Sequence, residues 1–392
     1  MAALNLSGCH SDWKIQLQWQ GHTSMHHLKT MQTADCQKFG MGLIDYLENT
    51  FEVDLKSILF AENSNIETIR SNATKTLTEA VRKYHTARGN SDWLSTETAS
   101  NNPGAFEVTS NWFMTEDNAL DYADLEGDEI IKQMQYISSN MSKMLESKDY
   151  GLASFYMFAS GFLATTTGGA IAFIGSVLAG MTEAEAIAAG LSTLKGGAIG
   201  TIVILVISMI IFFVFLRPAK ALGFVVNNTD KNLIVDDFKS SSGDLFMNTG
   251  KMESFMQDKE DPSRVKSPWI QIHGKMPWLI DGKLRTGVFA GFYFAEKRDW
   301  ALYGTDGAMI FSSTDGNLKF AHEFAVPYSA SNGTNIKLLE NDYSGNAKKV
   351  FSDLRQNQKK RVVVSTDDYE LTSSINDTSG QECGIIATIH QK

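Results

Sequence analysis

The stretch GLASFYMFASGFLATTTGGAIAFIGSVLAGMT at residues 151–182 contains no Asp, Glu, Lys, Arg or His, and the stretch GGAIGTIVILVISMIIFFVFL at residues 196–216 contains none either. A helix as long as the second stretch reaches about 31 Å, close to the thickness of the hydrocarbon core of a bilayer. Between the two stretches, Thr182 and Glu185 form a capping-box pattern that favours the start of a second helix. The pattern predicts an apolar helical hairpin over residues 151–216.

Small side chains recur at every fourth position of both stretches. Such rows lie near one face of a helix and allow two helix backbones to approach closely. We therefore predict that the hairpin packs through Ala164, Gly168, Ala172, Ser176, Gly180, Gly196 and Gly200. The bulky side chains expected to enter a membrane are Phe155, Phe158, Phe162, Ile171, Phe173, Ile174, Ile202, Ile204, Val206, Ile210, Phe212 and Phe213.

Three architectures are compatible with this hairpin. A pore-forming protein would keep it covered until a membrane is reached, a membrane protein would hold it permanently as two spans, and a soluble bundle would bury it for good. A buried hairpin in a soluble bundle seldom needs such long uncharged runs. The pore-forming architecture is therefore favoured, and the other two stay open.

The sequence before the hairpin is acidic, with a net charge of -9 over residues 1–150. Residues 1–33 are expected to form an N-terminal arm with a short strand, because apolar and polar residues alternate in DWKIQLQW at residues 12–19. Apolar residues at three-and-four spacing then predict a helical bundle over residues 34–222, which includes the hairpin.

Three helical segments are expected in this bundle ahead of the hairpin. The first runs from about Ala34 to Leu59, and the second from about Asn65 to Arg88, where Gly89 ends it. The third starts near Thr115 or Glu116 and continues without a break into the hairpin, for more than about 60 residues or roughly 90 Å. An elongated bundle follows from this length.

The composition changes at Pro218, because five of the six prolines lie from this residue onward and turn residues there separate short alternating runs. These runs predict a β-sandwich over residues 223–392. The predicted strands are Phe224 to Asn227, Gly287 to Phe294, Ala308 to Phe311, Phe320 to Val326, Arg361 to Ser365 and Gly384 to His390. The predicted fold class is α+β in two parts, an elongated helical bundle with an apolar hairpin followed by a β-sandwich.

Charge and motifs narrow the function. The net charge of -10 disfavours nucleic-acid binding. The first residues lack the basic start and apolar run of a secretory signal, so a soluble monomer without a classical signal peptide is expected. We find no phosphate-binding, dinucleotide-binding or nucleophile-elbow motif, and we expect no enzyme activity, no catalytic residues and no cofactor. The cluster of His22, His26 and His27 favours a solvated patch over a metal site.

The last part resembles the actinoporins and the fungal fruit-body lectins. The resemblance is carried by GFVVNNTDKNL at residues 223–233, by GAMIFSSTDGNLKFAHEFAVPYS at residues 307–329 and by GIIATIHQK at residues 384–392. In actinoporins the Val-Pro-Tyr segment grips a phosphocholine headgroup, which implies receptor binding by Val326, Pro327 and Tyr328. Ala325 replaces the serine that precedes this segment, so a glycan or another lipid is equally compatible.

The front half resembles α-helical pore-forming toxins of the cytolysin A, haemolysin BL and helical crystal-toxin type. This resemblance is one of layout, because these toxins fold an apolar hairpin against a long helical bundle and extend it into the membrane on assembly. It implies an insecticidal or defensive, haemolytic cytolysin that binds a lipid or glycan on a target-cell membrane and forms a homo-oligomeric pore there. The alternative is a lectin-like glycan-binding protein held by two permanent transmembrane helices.

Overall fold

The computed structural model describes residues 36–62, 64–89, 112–146, 198–215, 219–247, 250–251, 271–272, 274–280, 283–297 and 303–392. It confirms the α+β class. The chain divides into two compact units, of which the first is helical and the second contains the β-sheets. The predicted arm at residues 1–33 and hairpin residues 151–197 lie outside the described residues, as do residues 216–218.

Helices form the described part of the first unit. In chain order, the helices of both units are α1 (Cys36–Phe51), α2 (Lys56–Leu59), α3 (Ile66–Thr86), α4 (Glu116–Ala123), α5 (Asp128–Met144), α6 (Ala198–Val214) and α7 (Ala347–Gln356). The first unit holds α1, α2, α3, α6 and the part of α5 from Gln135 onward. No helix within the described ranges is both long enough and apolar enough to cross a membrane.

The predicted second helix is confirmed as α3, which spans Ile66–Thr86 and has a signal at each end. Asn65 caps its start, where the side-chain Oδ1 accepts a hydrogen bond from the backbone N–H of Thr68 at 2.8 Å. Gly89 lies just past its end with φ +76°, a left-handed conformation in which glycine is favoured.

The prediction of one unbroken helix from Thr115 or Glu116 is wrong. Helix α4 ends at Ala123, and α5 begins at Asp128. Gly127 between them has φ +56°, a backbone angle that a right-handed helix does not contain. The expected continuation of α5 into the hairpin lies beyond Glu146 and outside the described residues.

The second unit is built on two sheets. Its strands are β1 (Trp112–Thr115), β2 (Lys220–Asn228), β3 (Leu233–Ser242), β4 (Asp244–Met247), β5 (Gly250–Lys251), β6 (Gln271–Ile272), β7 (Met276–Ile280), β8 (Lys283–Glu296), β9 (Thr305–Ser313), β10 (Lys319–Val326), β11 (Gly333–Leu339), β12 (Arg361–Ser365), β13 (Tyr369–Ile375) and β14 (Glu382–Gln391). The larger sheet has the order β12-β13-β14-β2-β8-β4-β5, with β1 and β7 also paired to β8. The smaller sheet has the order β11-β10-β9-β3-β6. All six predicted strands are confirmed as β2, β8, β9, β10, β12 and β14.

Residues 112–134 belong to this second unit, although the sequence pattern alone groups them with the helical bundle. Strand β1 pairs with β8, and Glu116 at the start of α4 forms an ion pair with Lys275 at 2.8 Å. Beyond α4, Glu126 forms an ion pair with Arg361 of β12 at 2.8 Å. The segment is therefore fastened to the larger sheet at both ends of α4.

Helix α7 covers part of the outer face of the smaller sheet. Its buried side chains Ala347, Val350 and Leu354 pack against Ile310, Ala321 and Leu339. Asn346 caps the helix by accepting a hydrogen bond from the backbone N–H of Lys349 at 3.1 Å. Both faces of the sheet are thus covered along β10, where seven successive residues from Phe320 to Val326 are buried.

Candidate functional site

Helix α6 is the described part of the second apolar stretch, and its described side chains are enclosed by protein. Val203 and all residues from Leu205 to Val214 are at most 2% exposed. Helices that are apolar all round are found either in the core of a protein or in a membrane. In this folded chain α6 occupies a core, where it packs against α1 and α3.

The contact between α1 and α6 is unusually close at Gly40. A Cβ atom at Gly40 would overlap the Val214 side chain and would lie 2.8 Å from Phe213 Cβ. Next to it, the rings of Phe39 and Phe213 meet edge to face, with their centroids 4.9 Å apart. A glycine at this position of α1 therefore sets the distance between the two helices.

A row of polar side chains on α5 is buried, and Ser138 in this row contacts α6. Gln135, Ser138, Ser139 and Ser142 recur at three-and-four spacing and are at most 1% exposed. The Ser138 hydroxyl donates a hydrogen bond to the sulfur of Met209 in α6, and the Ser142 hydroxyl donates to the Ser138 carbonyl at 2.8 Å. Serines that bond in this way allow close helix contact without a salt bridge.

The predicted membrane-inserting residues fall into three groups. Val206, Ile210, Phe212 and Phe213 are buried in the core of the helical unit. Ile202, Ile204 and Gly200 lie in α6, but their side chains are not described. The third group lies outside the described residues and consists of Phe155, Phe158, Phe162, Ile171, Phe173 and Ile174. The same holds for the predicted packing residues Ala164, Gly168, Ala172, Ser176, Gly180 and Gly196, and for the histidines His22, His26 and His27.

The predicted receptor segment ends in an exposed aromatic surface. Val326 is fully buried at the end of β10, Pro327 is half-buried, and Tyr328 is 55% exposed. Tyr303 before β9 is 73% exposed and lies at the same end of the β9–β10 pair, because Thr305 pairs with Val326. Of the predicted receptor residues, Tyr328 is the one whose side chain is presented to solvent.

A cation accompanies this surface. Lys297, which follows β8, places its Nζ 5.3 Å from the ring centroid of Tyr328, a cation–π distance. Tyrosines combine an apolar ring with a polar hydroxyl, which suits membrane interfaces and sugar faces. We call Tyr303, Tyr328 and Lys297 the tyrosine end of the sandwich. Sequence analysis did not identify Lys297, because no local pattern distinguishes it from other surface lysines.

A polar network crosses the core of the sandwich. His322 of β10 is fully buried, and its Nε2 lies 2.8 Å from the hydroxyl of Tyr293 in β8, on the other sheet. Burial lowers the pKa of His322 from 6.5 to about 4 and raises the pKa of Tyr293 well above 10. A Cβ at Gly223 would overlap the Tyr293 ring, so this glycine makes room for the link between the sheets.

A second group of ionisable residues lies on the opposite face of β10. Glu323 is fully buried, and burial raises its pKa from 4.5 to about 8. Asp306 at the start of β9 has a raised pKa for the same reason, and its Oδ2 lies 3.7 Å from Nε of Arg355 in α7. Sequence analysis identified none of these three residues as functional.

Comparisons with known proteins return only distant structural matches. No protein-family model matches the chain, and no curated protein sequence matches it. The lipid-binding protein Nakanori is 14% identical with a TM-score of 0.31, and the match covers 44% of this chain and 71% of that chain. The protein RahU in complex with Tris is 13% identical with a TM-score of 0.28, over 44% and 96% of the two chains. The lectin of Xerocomus chrysenteron is 11% identical with a TM-score of 0.21, over 45% and 100%. The assignment of a sandwich rests on the two sheets of this chain and not on these scores.

Proposed function

We propose that this protein is a pore-forming cytolysin. The sandwich binds a lipid or glycan on a target membrane, and the hairpin at residues 151–216 then inserts and oligomerises into a pore. The observation that carries the proposal is the enclosure of α6, whose described side chains are at most 2% exposed although they form the most apolar helix described. Since lipid tails are as apolar as a protein core, α6 exchanges one apolar environment for another when it inserts.

The enclosure of α6 favours a pore-forming protein over a lectin with two permanent spans. A permanent span keeps part of its apolar surface toward lipid, whereas the described residues of α6 have no such face. A soluble lectin with a permanently buried hairpin explains the enclosure equally well. Release of α6 in the presence of a membrane is therefore the event that an experiment has to detect.

The tyrosine end supports the membrane-binding half of the proposal. Tyr303 and Tyr328 are exposed aromatic residues, and Lys297 beside them adds one positive charge. Aromatic rings enter the headgroup region of a bilayer, and a lysine ammonium pairs with lipid phosphates there. We propose that this end makes the first contact with the target membrane.

A disulfide between α1 and α6 tests the release of α6. Val214 Cγ2 lies where a side chain at residue 40 would reach, so the double substitution Gly40→Cys and Val214→Cys brings two sulfur atoms together. Cys9 and Cys36 are replaced by Ser to prevent mispairing. We expect the oxidised protein to bind red cells without lysing them, and we expect a reductant to restore haemolysis and dye leakage from liposomes of red-cell lipids.

The matched controls carry either Gly40→Cys or Val214→Cys in the same background, so each contains one of the two introduced cysteines and cannot form the crosslink. Both should lyse cells to the same extent with and without reductant. Full lysis by the oxidised double variant would contradict the release of α6. Absence of lysis and leakage by the unmodified protein would contradict pore formation itself.

A further inference from the structure

Glu323 lies beneath the second half of helix α7. It shares a face of β10 with Ala321, which packs against α7, and in the sheet register it stands opposite Ala308 of β9 and Asn335 of β11. The Asn335 side-chain amide donates a hydrogen bond to the Leu354 carbonyl of α7 at 2.8 Å. This bond places the last turn of α7 directly over the position of Glu323.

The Glu323 carboxyl group has no partner in this position. Its exposure is zero, and within the described part of the chain neither Oε1 nor Oε2 has a hydrogen-bond partner. A carboxylate that is buried without a partner costs several kcal/mol, whereas the neutral acid costs much less. Closure of α7 over the sheet therefore favours the protonated form of Glu323.

The charged groups around Glu323 are engaged with one another. Arg355 of α7 forms an ion pair with Asp306 of β9 and also donates a hydrogen bond to Gln358. The positive charge of Lys239 in β3 also acts on Asp306 and partly offsets the rise in its pKa that burial causes. Further along α7, Lys337 of β11 and Asp353 form an ion pair at 2.5 Å.

The net electrostatic effect opposes ionisation of Glu323. Burial raises its pKa most, the Asp306 charge raises it further, and Arg355 lowers it in part. The carbonyl end of α7 adds a partial negative charge on the same side. On the inner face of the sheet, burial keeps the Tyr293 phenol neutral, so this residue adds no charge that would change the ionisation of Glu323.

We propose that Glu323 is a proton-dependent latch, which holds α7 against the sheet while it is protonated and releases the helix when it ionises. Helix α7 is the element that moves, because it packs through three small or medium side chains, Ala347, Val350 and Leu354. Strand β10 is held by hydrogen-bonded neighbours on both sides. Lifting α7 exposes the carboxylate to water without breaking the sheet. The proposal does not depend on pore formation.

Hydrogen exchange measured by mass spectrometry on the full-length protein tests the latch. Because an exposed glutamate ionises near pH 4.5 and the buried one near pH 8, opening of α7 should become about tenfold more frequent per pH unit between these values. We expect the protection of a peptide covering residues 347–356 to fall accordingly after correction for intrinsic rates. In the Glu323→Gln variant, which cannot ionise, this protection should stay constant. A peptide covering β13 is the internal control and should keep its protection in both proteins.

Two neighbouring substitutions keep the test decisive if Glu323→Gln fails to fold. Asp306→Asn removes a negative charge and lowers the Glu323 pKa, so the fall in protection should level off at a lower pH. Arg355→Gln removes a positive charge and should extend the fall to a higher pH. Protection of α7 that does not depend on pH, or a loss that is shared equally by β13, would overturn the latch.

Discussion

The buried histidine of the sandwich predicts a specific loss of stability in acid. His322 links the two sheets through Tyr293, and its neutral form is the one that the core accepts. The informative substitution is His322→Gln, because a glutamine amide reaches the Tyr293 hydroxyl but does not titrate. Comparing the two proteins across pH isolates the proton that His322 takes up on unfolding.

The size of this effect follows from the two pKa values. The pKa of His322 is depressed to about 4 in the folded chain and is 6.5 when the residue is exposed. Below pH 6.5, His322 therefore binds a proton in the unfolded chain but not in the folded chain. The free energy of unfolding falls as the pH is lowered, until His322 is also protonated in the folded chain at about pH 4. At about 1.4 kcal/mol per pH unit, the difference amounts to about 3 kcal/mol.

Urea unfolding at pH 4, 5, 6 and 7, detected by hydrogen exchange in a β13 peptide, measures this loss in the sandwich unit. The advantage of the native protein over His322→Gln should shrink by about 3 kcal/mol between pH 7 and pH 4. The difference between the proteins must be used, since Glu323 titrates in the opposite sense over the same range. An advantage that is the same at all four pH values would refute the burial argument for His322.

Four further outcomes are expected. Glu323→Gln should gain stability over the native protein as the pH rises through 4.5 to 8, by about 5 kcal/mol in all, because the folded chain holds a proton that the unfolded chain releases; urea titrations at pH 4 and 9 measure it. Gly40→Ala should destabilise the helical unit by about 1–3 kcal/mol through overlap with Val214, visible as a lower melting temperature of α1 and α6. Arg361→Ala should cost less than about 1 kcal/mol, because its ion pairs are exposed; a larger loss in urea would show that α4 depends on it. Tyr328→Ala should weaken binding to liposomes of red-cell lipids in a flotation assay and leave the melting temperature unchanged.

Regular patterns made part of this fold predictable. Strand β12 matches its prediction from Arg361 to Ser365, and α3 lies within its predicted range from about Asn65 to Arg88, ahead of the predicted stop at Gly89. In both cases the signal lies within a few neighbouring residues, so it does not depend on distant contacts. The break at Gly127 was missed because a glycine inside an apolar periodicity is compatible with both a helix and a turn.

Strand β3 was missed for a different reason. Its sequence, LIVDDFKSSS, is polar in its second half, and its pairing with β9 shifts register twice, between Val235 and Asp237 and between Ser240 and Ser242. Each bulge interrupts the alternation on which strand prediction depends. The segment is recognised as a strand only through its pairing with β9 in the structure.

The failure to identify Glu323 follows from the failure to predict α7. In the alternating pattern of β10, residue 323 falls on the face that would be solvent-exposed in a sandwich with uncovered outer faces. Helix α7 covers that face, but AKKVFSDLRQ offers only short apolar repeats and was not recognised as a helix. The tyrosine end was partly predictable because Tyr328 lies in a continuous segment, whereas Lys297 joins it only through the fold.

The parallel pairing of β2 with β14 has a consequence for how the chain is made. These two strands lie side by side in the larger sheet, with Phe224 opposite Ile386, about 160 residues apart in sequence. During translation, α6 is therefore synthesised long before β14, the strand that pairs with β2 in the larger sheet. During that interval the helical unit has local contacts with which to fold first, and the sandwich has to wait. Synthesis thus allows the most apolar of the described helices to be covered early, whereas the unit that contains the two sheets is completed last.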